Sequence, residues 1–505
     1  MFCVADIFQS GMMLQRGKNI KVYGIGDKGQ QLTVKIQNQV SETMVDSNGH
    51  WEVYMDELIA SSKEELVIGD GTNTITFTDV AIGDIYVAAG QSNMEFWMRY
   101  EKHYQEAVKE CNNADIRFFD TPKIAYDGQE DEFDYSKVGI WRKATTEDLE
   151  YFSAVGYYFA RNLQQDLNIP IGIIGCNWGG TSASVWMSRP TLEKVGLPWL
   201  KAYQEQIKNM DLDAYWKSQH GNGMNDTGNS TWNGFIETFL PRTPGKEEAE
   251  AFFGNTGESA EGTEPMIQVQ AIPSCLYEHM VKRIAPFSLC GVLWYQGESD
   301  DCPGCQSLYS DMLGGIISDW RKLWEMEELP FYIVQLPGYL SWLAVPNNDY
   351  MEIRRQQEII CNTVPNTYLC SISDLGEEFD IHPKNKLGVG ERLALLARKY
   401  HYKEEILADA PILTDAVKNG QEIKLIFDNV GSGLYIKGDT INALVIKMDE
   451  NELEFTTDIC KNQVILTTKV PLTQRVCIEF ARTKWYIVNL YNSANLPAIP
   501  FTTEI

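Results

Sequence analysis

Residues 83–95 read Gly-Asp-Ile-Tyr-Val-Ala-Ala-Gly-Gln-Ser-Asn-Met-Glu. Five consecutive apolar residues, Ile85–Ala89, run into Gly90, and a serine stands two residues further on. A short run that is apolar at every position marks a strand buried on both faces, as in a parallel sheet covered by helices. Working outward, similar runs recur at Ile169–Ile174, Ser288–Tyr295, Phe331–Gln335 and Thr367–Ile372. Helical stretches lie between them. In Glu147–Leu167 the residues Leu149, Phe152, Val155, Phe159, Leu163 and Leu167 fall on one helical face. Ser307–Glu325, Tyr350–Cys361 and Lys386–Tyr400 have the same character. Alternating strands and helices predict an open α/β sheet with helices on both sides.

The flanks have a different period. Asn19–Tyr23, Gln31–Ile36 and His50–Tyr54 alternate apolar and polar residues, with Ser47-Asn48-Gly49 as a hairpin turn. From about residue 410 the β pattern returns at Ile423–Phe427, Ala443–Met448, Val464–Thr468, Val476–Phe480 and Tyr486–Leu490. The expected organisation is an N-terminal β domain over 1–82, an α/β catalytic domain over 83–405, and a C-terminal β-sandwich or jelly roll over 406–505. A stretch rich in Gly, Asn, Thr and Glu, about 197–270, reads as an insertion in the middle domain.

Composition removes several classes of function. The 505 residues are 44% hydrophobic and 22% charged, which are globular values. The formal net charge of −27 repels phosphate backbones, so a nucleic-acid partner is not expected. There is no run of about 20 apolar residues, so no membrane span is expected. The start, Met1–Gly17, has no basic segment leading into an apolar one, and it reads as cytoplasmic rather than as a signal peptide. The eleven cysteines are scattered, which fits reduced thiols. Cys302 and Cys305 have metal or redox spacing but supply only two of four zinc ligands, so they read as a loop with free thiols. No cofactor or metal is expected.

In open parallel sheets, ligands bind at the carboxyl ends of the strands. The loops there carry Gly90-Gln-Ser-Asn-Met94, Gly175-Cys-Asn-Trp-Gly-Gly-Thr181, Gln296-Gly-Glu-Ser-Asp300 and Asp380-Ile-His-Pro383. These are the residue types of acyl transfer. Ser92 needs a base to become a nucleophile, and His382 is the one histidine of six in a polar loop after a core strand. Asp380, two residues away, is the candidate orienting acid. The oxyanion needs fixed donors. Candidates are the N–H of Ser92, the N–H of Gly179 or Gly180, and the Gln296 amide. Each feature has a plain structural use as well: a helix cap for Ser92, a surface or capping role for His382, a tight turn for the glycines, solvated acids for Glu298 and Asp300. Their joint placement at successive strand ends carries the catalytic reading.

At this point the sequence resembles a known family. Residues 83–95, Trp294-Tyr-Gln-Gly-Glu-Ser-Asp300 and Asp380-Ile-His-Pro-Lys-Asn-Lys386 are similar to the sialate O-acetylesterases, a branch of the SGNH hydrolases. Phe152–Arg161 and Asn492–Thr502 share the likeness. The resemblance implies a flavodoxin-like, three-layer α/β/α SGNH core with flanking all-β domains, and metal-free hydrolysis of O-acetyl esters on sugars. It puts Ser92 in the nucleophile's place, His382 in the base's, and Gly180 and Gln296 in oxyanion places. Gln91, Asn93, Glu298, Trp178 and Trp294 fall where substrate would bind. The SGNH pattern usually has its acid three residues before the histidine, and that residue here is Phe379. Asp374, Glu378 and Glu298 therefore remain alternatives to Asp380, as does a Ser–His dyad without an acid.

The mechanism expected is attack by Ser92 on the acetyl carbonyl, with His382 passing the proton to the sugar oxygen and then activating water. An unperturbed histidine pKa of about 6.5 predicts a rate that falls below that pH. Of Trp97, Trp178, Trp186, Trp294 and Tyr295, two are expected to line the pocket. A sialic acid's carboxylate calls for an arginine such as Arg142, Arg189, Arg354 or Arg355, whereas the acidic chain favours neutral acetylated xylo- or manno-oligosaccharides. An inactive carbohydrate-binding protein and a general lipase or thioesterase are the other readings.

Overall fold

The computed structural model describes residues 1–129, 138–212, 214, 215, 240–242, 247, 269–342 and 345–505. They form two compact units. The first holds 1–129, 138–212, 269–296 and 311–331, and the second holds 297–310, 332–342 and 345–505. Apart from the helix Leu197–Ile207 and its neighbours, the 197–270 insertion lies outside the described residues.

The first unit is built on one long strand, Thr74–Gly90. Its first six residues alternate in exposure and its last eleven are all buried. The change follows from sequence: Thr-Ile-Thr-Phe-Thr-Asp gives way to a stretch that is apolar or small but for Asp84, whose carboxylate accepts from Gln15 and Arg16. The expected boundary at 82/83 thus falls inside a single strand. The exposed half pairs antiparallel with Ser61–Gly69. The buried half pairs parallel with Ile171–Asn177 on one side and Gly291–Tyr295 on the other.

Beyond Ile171–Asn177 lies a parallel strand, Asn113–Asp120, and then the antiparallel edge Trp141–Ala144. Neither was legible as a strand. Arg117 interrupts the apolar run, yet it is 1% exposed, because its guanidinium donates to the Gly11 and Met12 carbonyls and pairs with Asp79. The helix expected over 147–167 begins later, at Ala154. Ser153 caps it, accepting the Gly156 N–H at 3.1 Å, and Asn168 ends it in the left-handed conformation. Phe159 from this helix packs edge-on against Tyr86, with ring centroids 4.7 Å apart. Burying such a ring contributes about 1.5–3 kcal/mol.

In the second unit, the strand Phe331–Val334 (all but its first residue) neighbours Thr367–Cys370. The helices Tyr350–Thr363 and Leu387–Tyr400 match the apolar periodicity within two residues. Asp349 caps the former by accepting the Glu352 N–H at 3.1 Å. Residues 412–504 form two antiparallel four-stranded sheets that enclose one apolar cluster, including Ile423, Leu425, Ile446, Leu466, Ile478 and Phe480. The strand expected at Tyr486–Leu490 is a correction. The strand is Leu490–Asn492, and the preceding residues are irregular. Their polar groups go elsewhere: the Val488 N–H to the Ser373 carbonyl and the Asn489 amide to the carbonyls of Lys437 and Thr440. No described helix is long and apolar enough to cross a membrane.

Candidate active site

Within the first unit, strand register brings three loops to one level. Gly90 is the register partner of both Asn177 and Tyr295. The residues that follow, Gln91-Ser92, Trp178-Gly179-Gly180 and Gln296, therefore leave the sheet side by side. Gly90 has φ +136°, and a Cβ there would sit 2.1 Å from the Tyr295 carbonyl oxygen. Only glycine allows the strand to turn so close to its neighbour. Ser92 then opens a one-turn helix, Ser92–Glu95, and is half-buried, while Gln91 and Asn93 are buried.

The loop at 178–181 is pinned on several sides. The Trp178 N–H donates to Gly90 O (3.1 Å), the Thr181 hydroxyl to Trp178 O (2.7 Å), and the Gly179 N–H to Glu95 Oε2 (2.7 Å). Gly180 has φ +73° and is exposed, and among the described residues its N–H has no acceptor. Gln296 is fully buried and already donates both amide hydrogens, to Gln91 Oε1 (3.1 Å) and Thr181 O (3.0 Å). It braces the two loops rather than presenting a donor, a correction to its oxyanion assignment. Glu95 also forms an ion pair with Lys123. Near them, burial pushes the Asp120 carboxyl up to about 6, against the charges of Lys123 and Arg142.

The aromatic expectations divide. Trp294 is wholly buried, edge-on to Trp186 at 6.3 Å and to Trp320 at 6.1 Å. It packs the core and offers no face to a sugar. Trp178, Trp186 and Tyr295 are buried as well. Trp97 is half-buried and holds Arg99 over its ring at 5.1 Å, with Tyr100 and Tyr151 completing the group. Arg99 was missed in sequence, although it lies only seven residues after Ser92. The four arginines considered there are otherwise engaged. Arg142 lies buried over Phe118 and Phe152, Arg354 over Tyr486, and Arg189 and Arg355 pair with Glu193 and Glu352.

In the second unit, His382 and Asp380 lie in the loop between Thr367–Cys370 and Leu387–Tyr400. Asp380 is fully buried. Its Oδ1 accepts the backbone N–H of His382 at 2.8 Å, and its Oδ2 accepts from Lys384 Nζ at 2.6 Å. The His382 Nδ1 is 3.8 Å from Oδ1, an ion-pair separation and not a hydrogen bond. Of the alternative acids, Asp374 is held bidentate by Arg392 (2.6 and 2.8 Å) and accepts the Tyr491 hydroxyl. Glu298, 8% exposed, and Glu377 act electrostatically on the fully buried Lys386. Burial, with the charges of Lys384 and Lys386, holds the His382 imidazole well below the usual histidine range. Burial and Lys384 also bring Lys386 down to about 7. Trp342 packs edge-to-face on the His382 ring at 5.0 Å and is half-buried. No pattern around Ser341-Trp342 marked it in sequence.

Comparison with known proteins adds a family and a fold. A profile described as carbohydrate esterase, sialic acid-specific acetylesterase, matches residues 82–215 and 258–399. A sialate O-acetylesterase of Mus musculus is 26% identical, aligned over 100% of this chain and 94% of its own. One of Rattus norvegicus is 27% identical over 80% of this chain and 74% of its own. A crystal structure of a carbohydrate acetylesterase from Xanthomonas citri superposes with a TM-score of 0.75, at 24% identity, over 100% of this chain and 99% of that one. The last likeness establishes a common fold.

Proposed function

Because the chain belongs to the sialic acid-specific acetylesterase family of carbohydrate esterases, we propose that it removes O-acetyl groups from sialic acid-type sugars through an acetyl-Ser92 intermediate, with His382 as base. It is a carboxylic ester hydrolase, a carbohydrate O-acetylesterase. Its core takes the SGNH, flavodoxin-like arrangement in this reading, and the parallel strands ending at Gly90, Asn177 and Tyr295 support it. The observation that carries the assignment is the turn at Gly90, which sets Ser92 beside the Gly179-Gly180 loop.

The steps follow from the chemistry. The His382 imidazole takes the Ser92 hydroxyl proton as the oxygen attacks the acetyl carbonyl. The negative oxygen is met by the N–H groups of Ser92 and Gly180. His382 returns the proton to the departing sugar oxygen, then takes one from the water that attacks acetyl-Ser92, and gives it to the Ser92 oxygen as acetate leaves. A histidine held neutral by its surroundings is ready as a base at neutral pH. Asp380 acts by fixing the loop and by its charge. Arg99 supports an acidic sugar, since its guanidinium lies on the turn after the nucleophile helix. The net charge of −27 supports the second reading, neutral acetylated xylo- or manno-oligosaccharides.

The test is acetate release from 9-O-acetylated sialic acid, acetylated xylo-oligosaccharides and acetylated manno-oligosaccharides, with Ser92→Ala alongside. Release from the first that Ser92→Ala abolishes supports the proposal. Release from a neutral substrate alone selects the second reading. A fully active Ser92→Ala sinks the mechanism.

A further inference from the structure

Gly179 and Gly180 have opposite fates. The Gly179 N–H is consumed in a charge-assisted bond to Glu95 Oε2 at 2.7 Å, and the exposed Gly180 N–H has no acceptor among the described residues. Glu95 lies one helical turn after Ser92, so one carboxylate ties the nucleophile's helix to the loop facing it. The fit is tight: a Cβ on Gly179 would come within 3.2 Å of Ser92 Cβ and 3.5 Å of Glu95 Oε2. The other carboxylate oxygen pairs with Lys123, whose ammonium also lies 5.9 Å from the Trp97 ring. Lys123 is 9% exposed, so the pair is poorly screened by solvent.

We infer that Glu95 is a positioning residue of the oxyanion hole. By holding the Gly179 N–H it fixes the Gly179–Gly180 peptide, so that the Gly180 N–H meets the oxygen that becomes negative when Ser92 attacks. Lys123 in turn holds the Glu95 carboxylate. This inference rests on the Ser92 mechanism proposed above. It makes Glu95 matter in the transition state and not in substrate binding, because the ground-state carbonyl needs no such donor.

The experiment uses p-nitrophenyl acetate and compares Glu95→Leu, Glu95→Gln, Lys123→Met and Ser92→Ala in the full chain. Phenylboronic acid, which mimics the tetrahedral adduct on serine, is the second probe. Removing an oxyanion donor outright costs about 10²–10³ in kcat, so a misaligned one costs about 10–100-fold in Glu95→Leu, with KM within about two-fold. Glu95→Gln keeps an acceptor for Gly179 and recovers most of the loss. Boronate affinity weakens in step with kcat. Lys123→Met lowers kcat several-fold, and it serves as the test if Glu95→Leu does not fold. The inference is overturned if Glu95→Leu, or in its place Lys123→Met, keeps full kcat while Ser92→Ala is inactive. It is also overturned if Leu and Gln lose activity equally with boronate affinity unchanged. An active Ser92→Ala instead removes the serine mechanism on which it rests.

Discussion

Lys384 Nζ lies 2.6 Å from Oδ2 of Asp380, closer than the ring of His382 comes to the other oxygen of the same carboxylate. The aspartate that sequence places as the histidine's acid is thus the anchor of a buried ion pair. Its contacts clamp the loop that carries His382 and leave the imidazole without a hydrogen bond to this carboxylate.

That pair can be measured. Asp380→Asn keeps an acceptor for the His382 N–H but leaves the Lys384 ammonium without its counter-ion. Breaking one side of a buried pair costs roughly 3–5 kcal/mol. Asp380→Asn with Lys384→Met should recover part of that loss, because neither charge then remains. Urea unfolding of both single variants and the double variant checks this. Additive losses would show that the two residues are not coupled.

In the proposed mechanism His382 sets the acid limb of activity. Its pKa is lowered first by burial and then by Lys384 and Lys386. The neutral form is the base, so the acylation rate stays level as pH falls through 6.5 and declines only well under it. An unperturbed histidine would instead place that limb at about 6.5. Stability follows the same sign. The unfolded chain binds this proton more readily, so stability is present above 6.5 and is lost as pH falls from there toward the folded pKa. Initial rates and urea midpoints from pH 4 to 8 test both. A limb centred at 6.5 or above contradicts the electrostatics of this loop.

Lys386 is wholly buried, and burial with the charge of Lys384 brings its ammonium down to about 7. Replacing it with methionine removes one of the two positive charges that press on His382. Burial remains the larger cause, so the acid limb should move toward 6.5 without reaching it. Apolar replacement of a buried charge can also stabilise, but here Glu298, Asp380 and Glu377 lose a favourable partner. A pH–rate profile of Lys386→Met identical to the parent's would show that Lys386 does not act on the base.

Gly90→Ala tests the turn. The added methyl group would meet the Tyr295 carbonyl at 2.1 Å, in a backbone conformation that disfavours any side chain. The expected loss is more than about 2 kcal/mol, from strain and displacement of the strand end. Activity should fall further than stability, because Ser92 is carried by the same turn. Thermal melting with acetate release checks it. An alanine variant with parent melting temperature and rate would mean that the turn is not required.

Where the candidate site residues sit in the fold was partly legible from sequence for a clear reason. Strand ends are marked by where apolar runs stop, so the loops that carry Ser92, Gly180, Gln296 and His382 could be read in one dimension, though not what each side chain does there. The strand Asn113–Asp120 was hidden because Arg117 is buried within it, satisfied by carbonyls more than 100 residues away in the chain. Trp342 gave no signal because its place against His382 depends on a loop 40 residues upstream folding back.

What the sequence determined by itself is the alternation of apolar strands and amphipathic helices, the glycine before the serine, and the family motifs. Those are local properties, set by burial period and backbone sterics. What only the tertiary structure decided is which polar partner each site residue takes. Asp380 turns to Lys384, Gln296 spends its amide on Gln91 and Thr181, and Glu95 reaches across 84 residues to Gly179. Such choices depend on which groups are left without water when the loops close together, because a buried polar atom must find its partner in space.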